Sequence, residues 1–328
     1  MVGTTNVKLL TDDGKRLDGR ELDELRDIKI QPGVLNRVDG SAYIEWGKNK
    51  IMAAVYGPRE CIPKHESDPY KAIVRCRYLM APFSSLESHG KSGPNRRSME
   101  ISDVMREAFE NVILVENYPR TEIDIFVEVL EGNGSTRCVG LTAAAVALVT
   151  AGLPIKDIPL ALSVGKINGK IAIDMMKEED NFGEADMAVG LRPGNKEIIL
   201  LQMDGKLTRG ELEQCFDMVY AAAEKVHAIQ VNALKSMYEK KAEASSKGSD
   251  NGNNSRNSES ATPITDSLAV ATSIGAQFQV GAEAIELEEE SEPENLEISA
   301  DFEEAHEISR EEEEIHEIGS DSGETEDI

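Results

Sequence analysis

Apolar and polar positions alternate through much of the first eighty residues and then change period. "DIKIQPGVL" has the pattern of a strand until Pro32-Gly33 interrupts it. "GSAYIEWGKNKIMAAVYG" sets two apolar runs either side of Gly47-Lys48-Asn49, which predicts a hairpin. "KAIVRCRYLMAPF" alternates over part of its length and predicts another strand, after a polar, proline-punctuated loop at 57–70. In "RRSMEISDVMREAFENVILVENYP" the period becomes helical. Ile101, Val104, Met105, Ala108, Phe109, Val112 and Ile113 share a stripe on a helix beginning near Arg97.

"TEIDIFVEVL" returns to alternation, and "TRCVGLTAAAVALVTAGLP" follows as a helix closed by Gly152 and Pro154. That helix is apolar nearly all round, which places it between two layers. "LALSVGKINGKIAIDMM" reads as strand, turn and strand, and "GEADMAVGL" and "EIILLQMDG" as two further strands. The last helix opens at "TRGE", where Thr208 and Glu211 have capping-box spacing, and runs to about residue 243. Strand pairs are interrupted by single helices, with no strict βαβα alternation and no internal repeat. The pattern predicts an α/β (α+β) body.

Charge divides the chain. Residues 1–244 carry a net charge of −5, whereas 245–328 carry 3 basic and 24 acidic residues, so the tail supplies most of the total of −26. Dense like charge with few apolar residues cannot offset the entropy of ordering, so 245–328 is expected to be a disordered, acidic low-complexity tail. Within it, "SLAVATSIGAQFQVGAEAIEL" (267–287) is either a short docking segment or a spacer with chance hydrophobics. The four cysteines form no CxxC pair, which suits a reduced cytoplasmic protein without structural zinc. No signal-peptide core and no apolar run of membrane-spanning length are visible, so no membrane partner is expected.

Three stretches could carry chemistry. "LEGNGSTRCVG" feeds Gly134, Ser135 and Thr136 into the buried helix, and free N–H groups at such a junction attract anions. An ordinary glycine-rich turn with a hydroxyl cap reads the same way. Arg137 adds weight to the first reading, because a cation in a first helical turn opposes the dipole. Arg96 and Arg97 repeat the anomaly at another helix start, as if an anion supplied the missing negative charge in both places. In "KEEDNFGEADM", Asp180 ends a loop and Asp186 enters a strand. They read either as a solvated acidic turn or as carboxylates able to donate a proton or hold a divalent ion. Phe182 and Met187 read as core residues. His65 and His89 fall in polar loops, and His227 has helical spacing.

From about Arg16 to Tyr238 the chain resembles the RNase PH family, and within it the catalytic ring subunits of archaeal exosomes. The resemblance rests on "RLDGRELDELRDIKIQPGVL", "DGSAYIEWG", "AAVYGP", "RRSMEISDVMREAFE", "PRTEIDIFVEVLEGNGSTR", "LTAAAVALVTAGLPIKDI" and "EEDNFGEADM", in order and without a large gap. It implies a ribosomal-protein-S5-domain-2-like β-α-β sandwich over 1–244 and phosphorolytic 3′→5′ exoribonuclease activity. Inorganic phosphate is then the co-substrate, a nucleoside diphosphate leaves, and the reverse reaction adds 3′ tails. The implied phosphate contacts are Gly134, Ser135, Thr136 and Arg137. Arg96 and Arg97 would grip RNA, and Lys64 and His65 match a segment near the RNA entry neck. Asp186 would be the general acid, with Asp180 orienting it or helping it hold Mg2+. The implied partners are RNA, a homologous inactive RNase PH-like ring subunit in a trimer of heterodimers, and RNA-binding cap subunits. Alternatives are a stand-alone RNase PH trimming transfer RNA 3′ ends, which the GEADM segment argues against, and a non-catalytic RNA-binding ring subunit. The loop departs from the family's usual Asp-small-Gly-Thr/Ser-Arg in carrying Asn133 and a shifted glycine.

Overall fold

A computed structural model describes residues 8–85 and 94–248, with side chains to residue 242. The tail, its segment 267–287 and His89 lie outside the described residues.

Each predicted strand forms, and pairing sorts them into two sheets. The first has the order β1 (Ile28–Pro32), β2 (Gly40–Trp46), β3 (Asn49–Glu60), β5 (Thr121–Glu131), β4 (Ile73–Met80). Pro32 sits at the end of an edge strand, where its missing N–H costs no ladder bond. β4 runs parallel to β5 and the other pairs are antiparallel. A parallel neighbour needs a crossover, and α1 (Arg96–Val112) provides it. The second sheet is antiparallel, with the order β7 (Lys170–Ile173), β6 (Leu160–Ile167), β8 (Ala185–Arg192), β9 (Glu197–Gly205).

The apolar helix α2 (Thr136–Thr150) packs against β2, β3 and β5 of one sheet and β6 and β8 of the other. Every residue from Leu141 to Leu148 is fully buried. Its run of alanines lets two sheets approach one helix closely, and Thr142 satisfies its hydroxyl by donating to the Cys138 carbonyl while accepting the Ala161 N–H. α1 packs on β4 and reaches β9, and α4 (Arg209–Gly248) packs along β6 and β7. The result is the expected α+β arrangement, with helices between two sheets, a large main core and a small second cluster of Leu9, Leu10, Ile167, Ala172 and Met175. Thr208 and Glu211 exchange the predicted capping bonds at the start of α4. That helix runs to Gly248, past the expected body–tail boundary at 244/245.

Four local expectations change. The 57–70 loop begins only at Cys61, because β3 continues past Tyr56 through a register shift to Glu60. Asn49 belongs to β3 and pairs with Trp46, leaving Gly47-Lys48 as the turn. "KEEDNF" is not a loop but a short helix, α3 (Lys177–Phe182), nucleated by Glu179, whose carboxylate accepts the Met176 N–H. Acidic residues in its first turn suit the dipole. Phe182 is not core: it is 48 % exposed, since it ends that helix on the solvent side, whereas Met187 is buried as expected.

Candidate active site

The β5–α2 connection is the centre of the site. Gly134 has φ +75°, and a Cβ there would stand 2.5 Å from the Lys177 nitrogen and from the Met176 carbonyl carbon. Only glycine allows the loop to lie so close to the start of α3. Ser135 follows in the left-handed region (φ 59°). Its hydroxyl donates to the Met175 carbonyl at 2.6 Å and shares a 2.5 Å hydrogen bond with Ser163 Oγ. That hydroxyl therefore ties the loop to the second sheet and does not cap α2. Thr136 is buried and accepts a hydrogen bond from the Tyr78 hydroxyl at 2.8 Å.

Both helix starts suspected from sequence can now be compared. At α1, Asn95 accepts the Ser98 N–H while the Ser98 hydroxyl accepts the Asn95 N–H, so protein groups cap that end. At α2 no side chain makes a cap bond, and the first turn holds no acid. Arg137 stands in that uncapped turn with Nε buried and without a hydrogen-bond partner among the described residues. An uncapped dipole and an orphaned guanidinium N–H together form a site for an anion. The two starts therefore differ: α2 combines an uncapped end with the unpartnered Arg137 Nε, whereas α1 caps itself.

A cleft of about 230 Å³ opens over this loop. Gly134, Ser135 and Thr136 line one side, Arg97 another, and Lys177 and Asp180 of α3 a third. Arg96, which is exposed, and Arg137, which is half-buried, do not line it. Asp186, at the start of β8, does not itself line the cleft but interacts with Asp180, which does. Its carboxyl is pushed up to about 6, first by burial, then by the charges of Asp180 and Asp204, against a lowering pull from Arg137. Asp204 was not anticipated. It pairs directly with Asp186 across β8 and β9, a relation set by strand register that no local motif reveals.

Lys64 and His65 do not join the cleft. They form an exposed turn (Lys64–Glu66) before β4, beside the first residues of β5. The cleft lies at the other ends of those strands, roughly 25 Å away at the rise of an eight-residue strand. His227 is half-buried in α4 and its imidazole is held below its ordinary value, by burial foremost. Cys61, Cys138 and Cys215 are buried, Cys76 is partly so, and all four are free thiols.

No group of three or more metal-ligating side chains gathers among the described residues. Two neighbouring carboxylates, Asp180 and Asp186, are nevertheless a donor pair of the kind magnesium uses when waters and other oxygens complete its shell. No helix among the described residues is long and apolar enough to cross a membrane.

Two sheets around α2, with an uncapped, arginine-bearing helix start near Asp180 and Asp186, belong to a class that comparison with known proteins identifies. The profile of the 3′ exoribonuclease family (RNase PH) matches its domain 1 at residues 24–154 and its domain 2 at 157–222. The chain belongs to that family. Among curated relatives it is 51 % identical over 232 residues to exosome complex component Rrp41 of Thermoplasma acidophilum, covering 71 % of this chain and 93 % of that protein. It is 52 % identical over 238 residues to the protein of that name from Pyrococcus furiosus, covering 73 % and 95 %. Solved structures with the same fold include rice (Oryza sativa) Rrp46, at TM-score 0.61 and 23 % identity, covering 67 % of this chain and 100 % of that one. Another is the Archaeoglobus fulgidus exosome with RNA bound to the active site, at TM-score 0.57 and 20 % identity, covering 65 % and 92 %.

Proposed function

We propose that this 3′ exoribonuclease works by phosphorolysis, as an active ring subunit of an exosome. The observation that carries the reading is the pairing of an uncapped, arginine-bearing helix start with a protonatable acid. Inorganic phosphate would sit on the N–H groups entering α2, with Arg137 Nε as its charged donor and Gly134 allowing close approach. Arg97 would hold the RNA's last phosphodiester across the cleft, with Arg96 beside it on the exposed helix end. Thr136 and Ser135 shape the cradle through their hydrogen bonds to Tyr78 and Met175.

A phosphate oxygen attacks the terminal phosphorus, and the bond from that phosphorus to the preceding nucleotide's 3′ oxygen breaks. The departing oxygen takes the Asp186 proton, leaving RNA shortened by one nucleotide and a free nucleoside diphosphate. An acid held near 6 is well matched to this donation near neutral pH. Interaction with Asp180 orients it. Asp180, joined by Asp186 once that carboxyl has given up its proton, would hold magnesium, which would supply positive charge against the phosphoryl groups. The two like-charged phosphates meet because cations and oriented dipoles offset their repulsion. In the reverse direction, ionised Asp186 takes the proton of the attacking 3′ hydroxyl.

The same reading takes 1–244 as the catalytic body and 245–328 as an appended acidic tail. It places Lys64 and His65 at the RNA entry, one strand length from the cleft. A homologous inactive RNase PH-like subunit would complete a ring of three heterodimers, RNA-binding cap subunits would sit on it, and the assembly would work in the cytoplasm.

The test is release of nucleoside diphosphate from a 3′-labelled poly(A) RNA with and without inorganic phosphate. The full chain is assayed alone and with its ring partner, beside Asp186→Ala. Diphosphate that needs phosphate and partner and vanishes in the variant supports this reading. Diphosphate from the chain alone points to a stand-alone RNase PH, and none from the assembled ring points to a binding subunit.

A further inference from the structure

Three arginines near the start of the described chain are buried against the site without lining its cleft. Arg16 is 0 % exposed, and Arg20 and Arg26 are each 8 % exposed. Buried guanidinium groups are costly unless partnered, and every guanidinium nitrogen of these three has a partner. Arg16 Nε donates to Glu179 Oε1 at 2.7 Å and its Nη2 to Glu179 Oε2, a bidentate pair with both members fully buried. Its remaining donors reach the Ile173 carbonyl at 2.6 Å and the Asp174 carbonyl at 2.8 Å. Arg20 reaches the Asp174 carbonyl as well, at 3.2 Å.

Arg26 faces the other way. Its Nε and Nη2 bind the Asp174 carboxylate at 3.0 and 2.5 Å, while Nη1 donates to the Asn133 carbonyl at 2.8 Å. Asn49, fully buried, completes that grip. It accepts the Asn133 N–H at 2.5 Å and donates to the Gly134 carbonyl at 2.8 Å. Asp174 is the common anchor, with Trp46 Nε1 donating to it at 3.0 Å. It is held in the left-handed region at φ 56°, as Ser135 is at φ 59°. Non-glycine residues stay there only where their surroundings over-determine them.

We propose that Arg16 and Arg26 are positioning residues that divide the site between them. Arg26, with Asn49, fixes the anion loop through Asn133 and Gly134. Arg16 fixes the acid helix, because Glu179 precedes Asp180 in α3 and α3 has only six residues and no other buried side chain. The two halves also touch directly, through Gly134 and Ser135 at Met175–Lys177, and they meet again at Asp174, so a buried segment outside the cleft helps set the distance between the bound phosphate and the acid pair. Lysine cannot replace either arginine, since one ammonium does not span two acceptor groups in a fixed fork.

The inference rests on the phosphorolysis reading, and two variants of the full chain in its ring separate them. Arg26→Lys should raise the KM for phosphate about tenfold with kcat within about twofold. Glu179→Gln should lower kcat about tenfold, with the phosphate KM within about twofold. Calorimetric titration of inorganic phosphate into the full chain should show the same weakening for Arg26→Lys and none for Glu179→Gln. If Arg26→Lys fails to fold, Asn49→Ser should give the phosphate signature in its place. Both variants losing only thermal stability, or both lowering kcat and phosphate affinity together, would overturn the division. A wild-type ring that releases no diphosphate defeats the phosphorolysis reading instead, and the calorimetric contrast still decides this one.

Discussion

Asp186 and Asp204 stand directly opposite one another on β8 and β9, so Asp186 faces two like charges, Asp180 and, across the ladder, Asp204. Burial is the first cause of the raised Asp186 pKa, and these neighbours add to it. Asp204→Asn removes one of them. On the phosphorolysis reading, the pH profile of turnover has a limb set by protonated Asp186, and that limb should move to lower pH. The rate at pH 7 should fall because less acid remains protonated. Asp204 is exposed, so the displacement should shrink at high salt. An unmoved profile at low salt would show that Asp204 does not reach the acid.

Asp186→Asn should separate activity from stability. With Asp186 as the proposed general acid, its loss should cost about 10²–10⁴ in turnover. The stability effect has the opposite sign. Because the folded pKa is about 6 against an ordinary 3.8, the folded chain binds protons that the unfolded chain has released, and stability falls as pH rises between those values. Asparagine removes that penalty, so thermal unfolding above pH 6 should shift upward by on the order of 1 kcal/mol after solvent screening. The gain should vanish near pH 4. Melting curves at both pH values check the sign.

Gly134→Ala tests whether the loop needs glycine. The added methyl carbon would meet Met176 and Lys177 backbone atoms at 2.5 Å, in a conformation L residues rarely adopt. Backbone cannot give way as a flexible side chain can, so a loss of about 1–3 kcal/mol is expected. Because the atoms struck begin α3, turnover should fall even at temperatures where the variant is folded. Gly152→Ala has a similar φ of +74° but open space around it, and should leave activity unchanged.

Periodicity carried the elements: the buried α2, the stripe on α1 and the α4 capping box could all be read before pairing was known. Ser135, Arg137 and Asp180 could be picked out because loop chemistry and a misplaced cation are local signals. Asn49 and Asp204 could not. Asn49 looked like a turn residue, and its role depends on a turn one residue shorter than expected. Asp204 becomes a neighbour of Asp186 only through strand register. The arginines of "RLDGRELDELRDI" stood within the family resemblance, but their burial follows from contacts more than a hundred residues along the chain. Long-range pairings of this kind leave no period in the sequence.

The contrast between the two arginine-bearing helix starts yields a binding prediction that needs no turnover. If an anion completes the uncapped start of α2, inorganic phosphate at one hundred times its Kd should stabilise the folded chain by about 2.7 kcal/mol. For a body of this size that is a rise in Tm of roughly 5–10 °C. Arg137→Gln should abolish most of the rise, because it removes the charge and the unpartnered Nε together. Arg96→Gln should retain it, since that residue stands exposed on a helix already capped by Asn95 and Ser98. Arg97→Gln should fall between them, as its side chain lines the cleft from the opposite wall. Thermal unfolding of the full chain across a phosphate series, at constant ionic strength, measures all four. Equal shifts in wild type and Arg137→Gln would place the anion somewhere other than the start of α2.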